Sequence, residues 1–106
     1  MPEYYPHVPA FDPLAAFTEV EQSVKASQFR ERYLDTKLSE LHELAGTMIR
    51  EGHDQYAVLE RLADSADVFA DYIGPCDGAS RKHFTAKAEE IRAIVEILRP
   101  KEVPLD

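Results

Sequence analysis

Hydrophobic residues recur at intervals of three and four along most of the chain, which is the spacing of amphipathic α-helices. Between Pro13 and Gly52 the buried face of a helix is predicted to comprise Leu34, Leu38, Leu41, Ala45 and Met48. The earlier apolar stripe, which includes Phe17, is rotated relative to that face. Either the segment breaks near Ser27 into two helices, or one long helix, with or without a kink, changes its packing partner along its length. We favour the single helix, which ends at Gly52.

Two further helices follow. Asp54 is predicted to cap a helix over residues 55–73, and the Gly-Pro-Cys-Asp-Gly run at 74–78 indicates a turn. Ser80 is predicted to cap a last helix that continues to about Arg99, before Pro100. No segment shows the alternation of a β-strand between hairpin turns. The fold class is therefore all-α, a small antiparallel three- or four-helix bundle with a long first helix.

The domain organisation follows from composition. Residues 1–12 hold three of the seven prolines, so they form an extended arm rather than a helix, residues 13–99 form the bundle, and residues 100–106 form a short tail. The aromatic residues of the arm either cover edges of the core or bind a partner or a second copy of the chain; these are Tyr4, Tyr5 and Phe11.

Charge and cysteine content exclude some classes of function. The 106 residues include 12 basic and 20 acidic side chains, a net charge of −8, which disfavours direct binding to nucleic acid. One cysteine cannot form an internal disulfide, and the sequence shows neither a secretory leader nor a run of about 18 apolar residues that could cross a membrane. We expect a soluble, cytoplasmic protein with a protein partner of basic character.

Four carboxylates share one face of the predicted second helix, at spacings of four, three and four. We call them the acidic stripe: Glu60, Asp64, Asp67 and Asp71. Like charges at this spacing each cost a few tenths of a kcal/mol, so something should offset them. Bases of the last helix are one source, and the other interpretation is a face that binds a basic partner. The bases of that helix are Arg81, Lys82, Lys87, Arg92 and Arg99.

The last helix is apolar on more than one side. Ile94 and Ile97 lie beside the predicted core face of this helix and widen it. That face comprises Phe84, Ala88, Ile91, Val95 and Leu98. A three-helix monomer would leave part of this surface in water. Either a fourth element covers it, or it binds a partner or forms a homodimer.

Motifs for catalysis are nearly absent. The sequence has no glycine-rich phosphate loop, no nucleophile elbow and no helical metal signature, so we predict no cofactor, no metal site and no catalytic residue. One stretch, His42-x-Leu44-x-Gly46 followed by Gly52, resembles the phosphoacceptor motif of histidine-containing phosphotransfer domains. The resemblance implies an acidic helical bundle in which His42 is exposed midway along a helix. Position 45 is alanine where that family has a charge-stabilising lysine.

The expected function is accordingly that of a non-enzymatic interaction protein: an adaptor, a secretion-type chaperone, or an inhibitor of a basic or nucleic-acid-binding partner, such as one encoded by a phage against host defence. Two alternatives stay open. One is a phosphotransfer-like domain that uses His42, and the other is a self-assembling structural protein.

Overall fold

A computed structural model describes residues 14–100, and over this range the chain is a bundle of four α-helices without strands. The helices are α1 (Ala15–Ser23), α2 (Glu31–Arg50), α3 (Gln55–Ile73) and α4 (Gly78–Leu98). A short 3₁₀ turn, Ala26–Gln28, joins α1 to α2. The all-α prediction is confirmed. The predicted arm lies outside the described residues. No helix of residues 14–100 is long and apolar enough to cross a membrane.

The single long first helix is wrong, and the break near Ser27 that we had not favoured is the correct alternative. Val24 and Lys25 are extended (ψ 124° and 152°), and Arg30 is extended again before α2 begins. The physical reason lies in the two apolar stripes, which are out of phase along a continuous helix. The break lets Phe17 and Leu34, both with no exposed surface, reach the same core.

Contacts between helices show the direction in which each helix runs. Arg99 at the end of α4 pairs with Glu60 near the start of α3, so these two helices are antiparallel. Ser80 of α4 contacts Glu31 of α2, and His83 contacts Asp35. The contacts follow the same order along both helices, so α2 and α4 are parallel. A shallow groove therefore runs lengthwise between α2 and α4.

Capping residues set the helix ends, and one of our predicted caps is wrong. Asp54 accepts hydrogen bonds from the backbone N–H groups of Tyr56 and Ala57, as predicted. Helix α4 is capped by Asp77 rather than by Ser80, because Asp77 Oδ1 accepts from the backbone N–H groups of residues 79 and 80. Ser80 is instead buried, with its hydroxyl between two carboxylates.

The core confirms the predicted apolar face of α2, all five members of which are buried. On the other side of α3, Tyr72 stacks on Phe29 with ring centroids 4.8 Å apart, so the α1–α2 connection covers that face. The predicted core face of α4 ends too late, since Leu98 is 47% exposed. This residue lies in the last turn of α4, where the Tyr56 hydroxyl of α3 donates to its carbonyl but leaves about half of the residue exposed.

Candidate functional site

Two of the three histidines in residues 14–100, His42 and His83, line a groove between α2 and α4. Near its centre it encloses about 340 Å³ and is lined by Asp35, Leu38, Ser39, His42, His83 and Lys87. The α2 residues recur at intervals of three and four, and His83 and Lys87 are four apart on α4, so each set shares one face of its helix. We call this the α2–α4 groove.

His42 lies on the α2 side of the groove and is exposed at the twelfth position of the twenty-residue helix. Partial burial against the groove wall, and secondarily the positive charge of Lys87, lower the pKa of His42 below its ordinary value. Its imidazole is therefore neutral near pH 7 and keeps a nitrogen lone pair. Sequence reasoning identified His42 but did not place Lys87 beside it, because the two residues are 45 positions apart in the sequence.

A second cluster lies where the groove begins, at the N-terminal ends of both helices. His83 Nε2 is 2.9 and 3.0 Å from the two carboxylate oxygens of Asp35. Glu31 lies one turn before Asp35, and its Oε1 is within hydrogen-bond distance, 2.7 Å, of the Ser80 hydroxyl. Glu31, Asp35 and His83 each place one donor atom within 4.8 Å of the other two. No local sequence pattern indicates this cluster, because its members come from two helices.

Three members of the acidic stripe form ion pairs within the chain. Arg92 of α4 contacts Asp64 at 2.9 Å and Asp67 at 2.6 Å, and Arg99 contacts Glu60 at 2.9 Å. The hydrogen bond with Asp67, ahead of the other contributions, raises the pKa of Arg92. Asp71, the fourth member, is exposed and forms no ion pair with any residue in the range 14–100. The α4 bases thus offset the repulsion along most of the stripe.

The C-terminal end of α4 carries the exposed large hydrophobic side chains of the described residues. Ile94 is 49% exposed, Ile97 80% and Leu98 47%. We call these three residues the apolar end of α4. No element between residues 14 and 100 covers them, whereas α1 covers the corresponding side of α3. Tyr4, Tyr5 and Phe11, the other predicted binding residues, lie outside the described residues.

A buried ion pair fixes α1 to α3, and sequence analysis did not identify it. Both oxygens of Glu21, a residue only 5% exposed, accept hydrogen bonds from Arg61 at 2.7 and 3.0 Å. The buried Ser65 hydroxyl lies 2.6 Å from the same carboxylate. Tyr72 donates to the Glu21 backbone carbonyl at 3.1 Å, and burial, reinforced by the Glu21 charge, raises the pKa of Tyr72. This network joins α1 to α3 inside the bundle.

Comparisons of the chain with protein-family models, with curated protein sequences and with solved structures gave no match. The residues themselves therefore carry the argument about function.

Proposed function

We propose that the protein is a non-enzymatic helical interaction module that binds a partner protein through the apolar end of α4. The observation that carries this proposal is the exposure of Ile94, Ile97 and Leu98 side by side on one helix end. Helical spacings of three and four place them in one patch. Burying such side chains against a partner is favourable by roughly 25 cal/mol for each Å² of apolar surface. An adaptor, a chaperone or an inhibitor would each use such a surface.

The charge around the patch indicates the kind of partner. Glu90 and Glu96 are exposed on the same half of α4, and the whole chain has a net charge of −8. A partner that places apolar side chains on the patch and basic ones around it would match both features. The acidic stripe contributes less to this proposal, because Arg92 and Arg99 already pair with three of its carboxylates.

Affinity capture of the tagged chain from its native cells tests the proposal, with variants as the discriminating comparison. The double variant Ile94→Ser/Ile97→Ser removes apolar surface that is already exposed, so its fold should be retained. We expect the wild type to retain a stoichiometric partner and the double variant to retain at least tenfold less. Asp71→Lys is the matched control: it reverses the charge of the free member of the acidic stripe and should retain the partner as the wild type does.

Equal capture by the wild type and by Ile94→Ser/Ile97→Ser would contradict the proposed surface. Loss of the partner with Asp71→Lys alone would move the binding site to the acidic stripe. Light scattering distinguishes self-assembly: a dimer that the double variant converts to a monomer would show that the patch binds a second copy of the chain instead.

A second candidate function, phosphotransfer through His42, gains support from Lys87. The motif at 42–46 lacks the family's lysine, but Lys87 lies in the same groove as His42. Burial first, and then the charge of Lys87, lower the pKa of His42. A neutral imidazole nitrogen could attack the phosphorus of an aspartyl phosphate. The phosphorus–nitrogen bond would form, the phosphorus–oxygen bond would break, and the carboxylate would leave. Lys87 would offset the charge of the phosphoryl group.

Incubation with a radiolabelled, phosphorylated receiver domain tests this second function. We expect label on the wild type, none on His42→Gln and a severalfold slower transfer to Lys87→Ala. His53→Gln controls for loss of a histidine outside the groove and should be labelled like the wild type. No label on any variant, or equal label on His42→Gln, would exclude His42 as a phosphoacceptor.

A further inference from the structure

The cluster of Glu31, Asp35 and His83 at the start of the α2–α4 groove has the composition of a metal site. Its donor atoms are two carboxylate oxygens from successive turns of α2 and one imidazole nitrogen from α4, all within 4.8 Å of one another. Imidazole together with carboxylates suits zinc and its first-row neighbours, whereas calcium and magnesium prefer oxygen ligands alone.

The spacing of the donors fits such an ion. Zinc lies about 2.0–2.2 Å from nitrogen and oxygen ligands, so two ligands at a tetrahedral angle are about 3.3 Å apart. His83 Nε2 lies 2.9 and 3.0 Å from the oxygens of Asp35, a few tenths of an ångström less. Glu31 is exposed, so its side chain can rotate to complete the set without disturbing the core. An ion would need only a small outward movement of the two nearer ligands.

The neighbouring Ser80 gives a separate reason to expect a cation. Its hydroxyl, in a residue only 2% exposed, lies 2.7 Å from Glu31 Oε1 and 2.7 Å from Asp77 Oδ2. A hydroxyl has one hydrogen and can donate to only one of them. The other carboxylate therefore faces an oxygen lone pair of the hydroxyl at 2.7 Å, and a positive charge beside this pair of carboxylates would reduce the repulsion.

The local charge balance supports the same conclusion. Glu31, Asp35 and Asp77 carry three negative charges, and within residues 14–100 no lysine or arginine forms an ion pair with any of them. The N-terminal ends of α2 and α4 each contribute roughly half a positive charge. About two negative charges remain, which one divalent cation would neutralise.

We propose that Glu31, Asp35 and His83 bind one divalent transition-metal ion of the zinc type, which links α2 to α4 at the entrance to the groove. Three protein ligands leave a position open for water or for a group from a bound partner. The ion would stabilise the folded chain, since the unfolded chain does not hold the three ligands together.

Calorimetric titration of the chelator-treated, untagged full chain with Zn²⁺ tests the proposal. We expect one ion per chain, and a dissociation constant at least tenfold weaker for Asp35→Asn and for His83→Gln. Two controls match these changes at other surfaces: Asp71→Asn removes one carboxylate and His53→Gln one imidazole, and both should bind like the wild type. Co²⁺ should give the visible absorption of an ion with fewer than six ligands.

The nitrogen-15 spectrum of the wild-type imidazoles keeps the test decisive even where a variant folds poorly. Saturating Zn²⁺ should shift the His83 Nε2 resonance and leave that of His53 in place. Absence of a saturable one-to-one heat, an unchanged His83 resonance, or equal affinity in His83→Gln and the wild type would each overturn the proposal.

Discussion

Two glycines in or after α2 show how one residue type serves different ends. Gly52, just past the end of the helix, has a φ of +100°, a conformation that other L-residues seldom adopt. Gly46 is inside α2 with an ordinary helical backbone. A Cβ there would meet only the flexible end of Arg50, at 3.4 Å. The turn that follows α2 therefore favours glycine at position 52, while Gly46 lies one turn after His42 on the same side of the helix.

The two positions should respond to alanine in opposite directions. We expect Gly46→Ala to stabilise the fold by about 0.5–1 kcal/mol, because alanine costs less entropy in a helix interior. Gly52→Ala should destabilise it by about 1 kcal/mol or more, since its φ would be strained. Urea unfolding followed by circular dichroism measures both. A destabilising Gly46→Ala would show that close packing, rather than access to the groove, explains that glycine.

At the scale of the helices, the spacing of hydrophobic residues predicted that the chain is helical better than it predicted where each helix begins and ends. The start of α3 and its Asp54 cap follow from local sequence, and so does the buried face of α2. The break before α2 does not follow from local sequence, because neither Val24 nor Lys25 is a residue type that forbids a helix. Packing decides there: two apolar stripes can face one core only if the chain turns between them. Likewise Asp77, and not Ser80, caps α4, and the Ser80 hydroxyl instead lies between the carboxylates of Glu31 and Asp77.

The same division applies to the candidate site. His42, Ile94 and Ile97 could be found from the sequence because each departs from a local pattern. Their surroundings could not be, since Lys87 and the partners of Asp35 come from another helix. We predicted no metal site because the search considered ligand spacings within one helix. The proposed site instead combines two turns of α2 with one position of α4, a combination that depends on the parallel direction of those helices.

At the scale of the whole molecule, the distribution of charge separates pairs that hold the fold together from pairs that only cover it. The pairs between α3 and α4 lie at the surface: the side chains of Glu60 and Arg99 are 55% and 47% exposed. Such pairs contribute about 0–1 kcal/mol. Glu21 and Arg61 are only 7% and 20% exposed at their side chains. Folding removes most of the water around both side chains, so the charge of each one stabilises the charge of the other. The pair joins α1 to the rest of the bundle.

Removal of one acid from each kind of pair tests this distinction. Glu21→Ala removes one member of a largely buried ion pair, a change that typically costs 3–5 kcal/mol. We expect about 3 kcal/mol, the lower end, because Arg61 keeps some contact with water and with the Thr18 hydroxyl at 2.9 Å. Glu60→Ala, the matched control, should cost less than about 1 kcal/mol. Urea unfolding of both variants decides the matter. Equal losses would mean that apolar contacts hold α1 in place, and that the buried pair stabilises the bundle no more than a surface pair does.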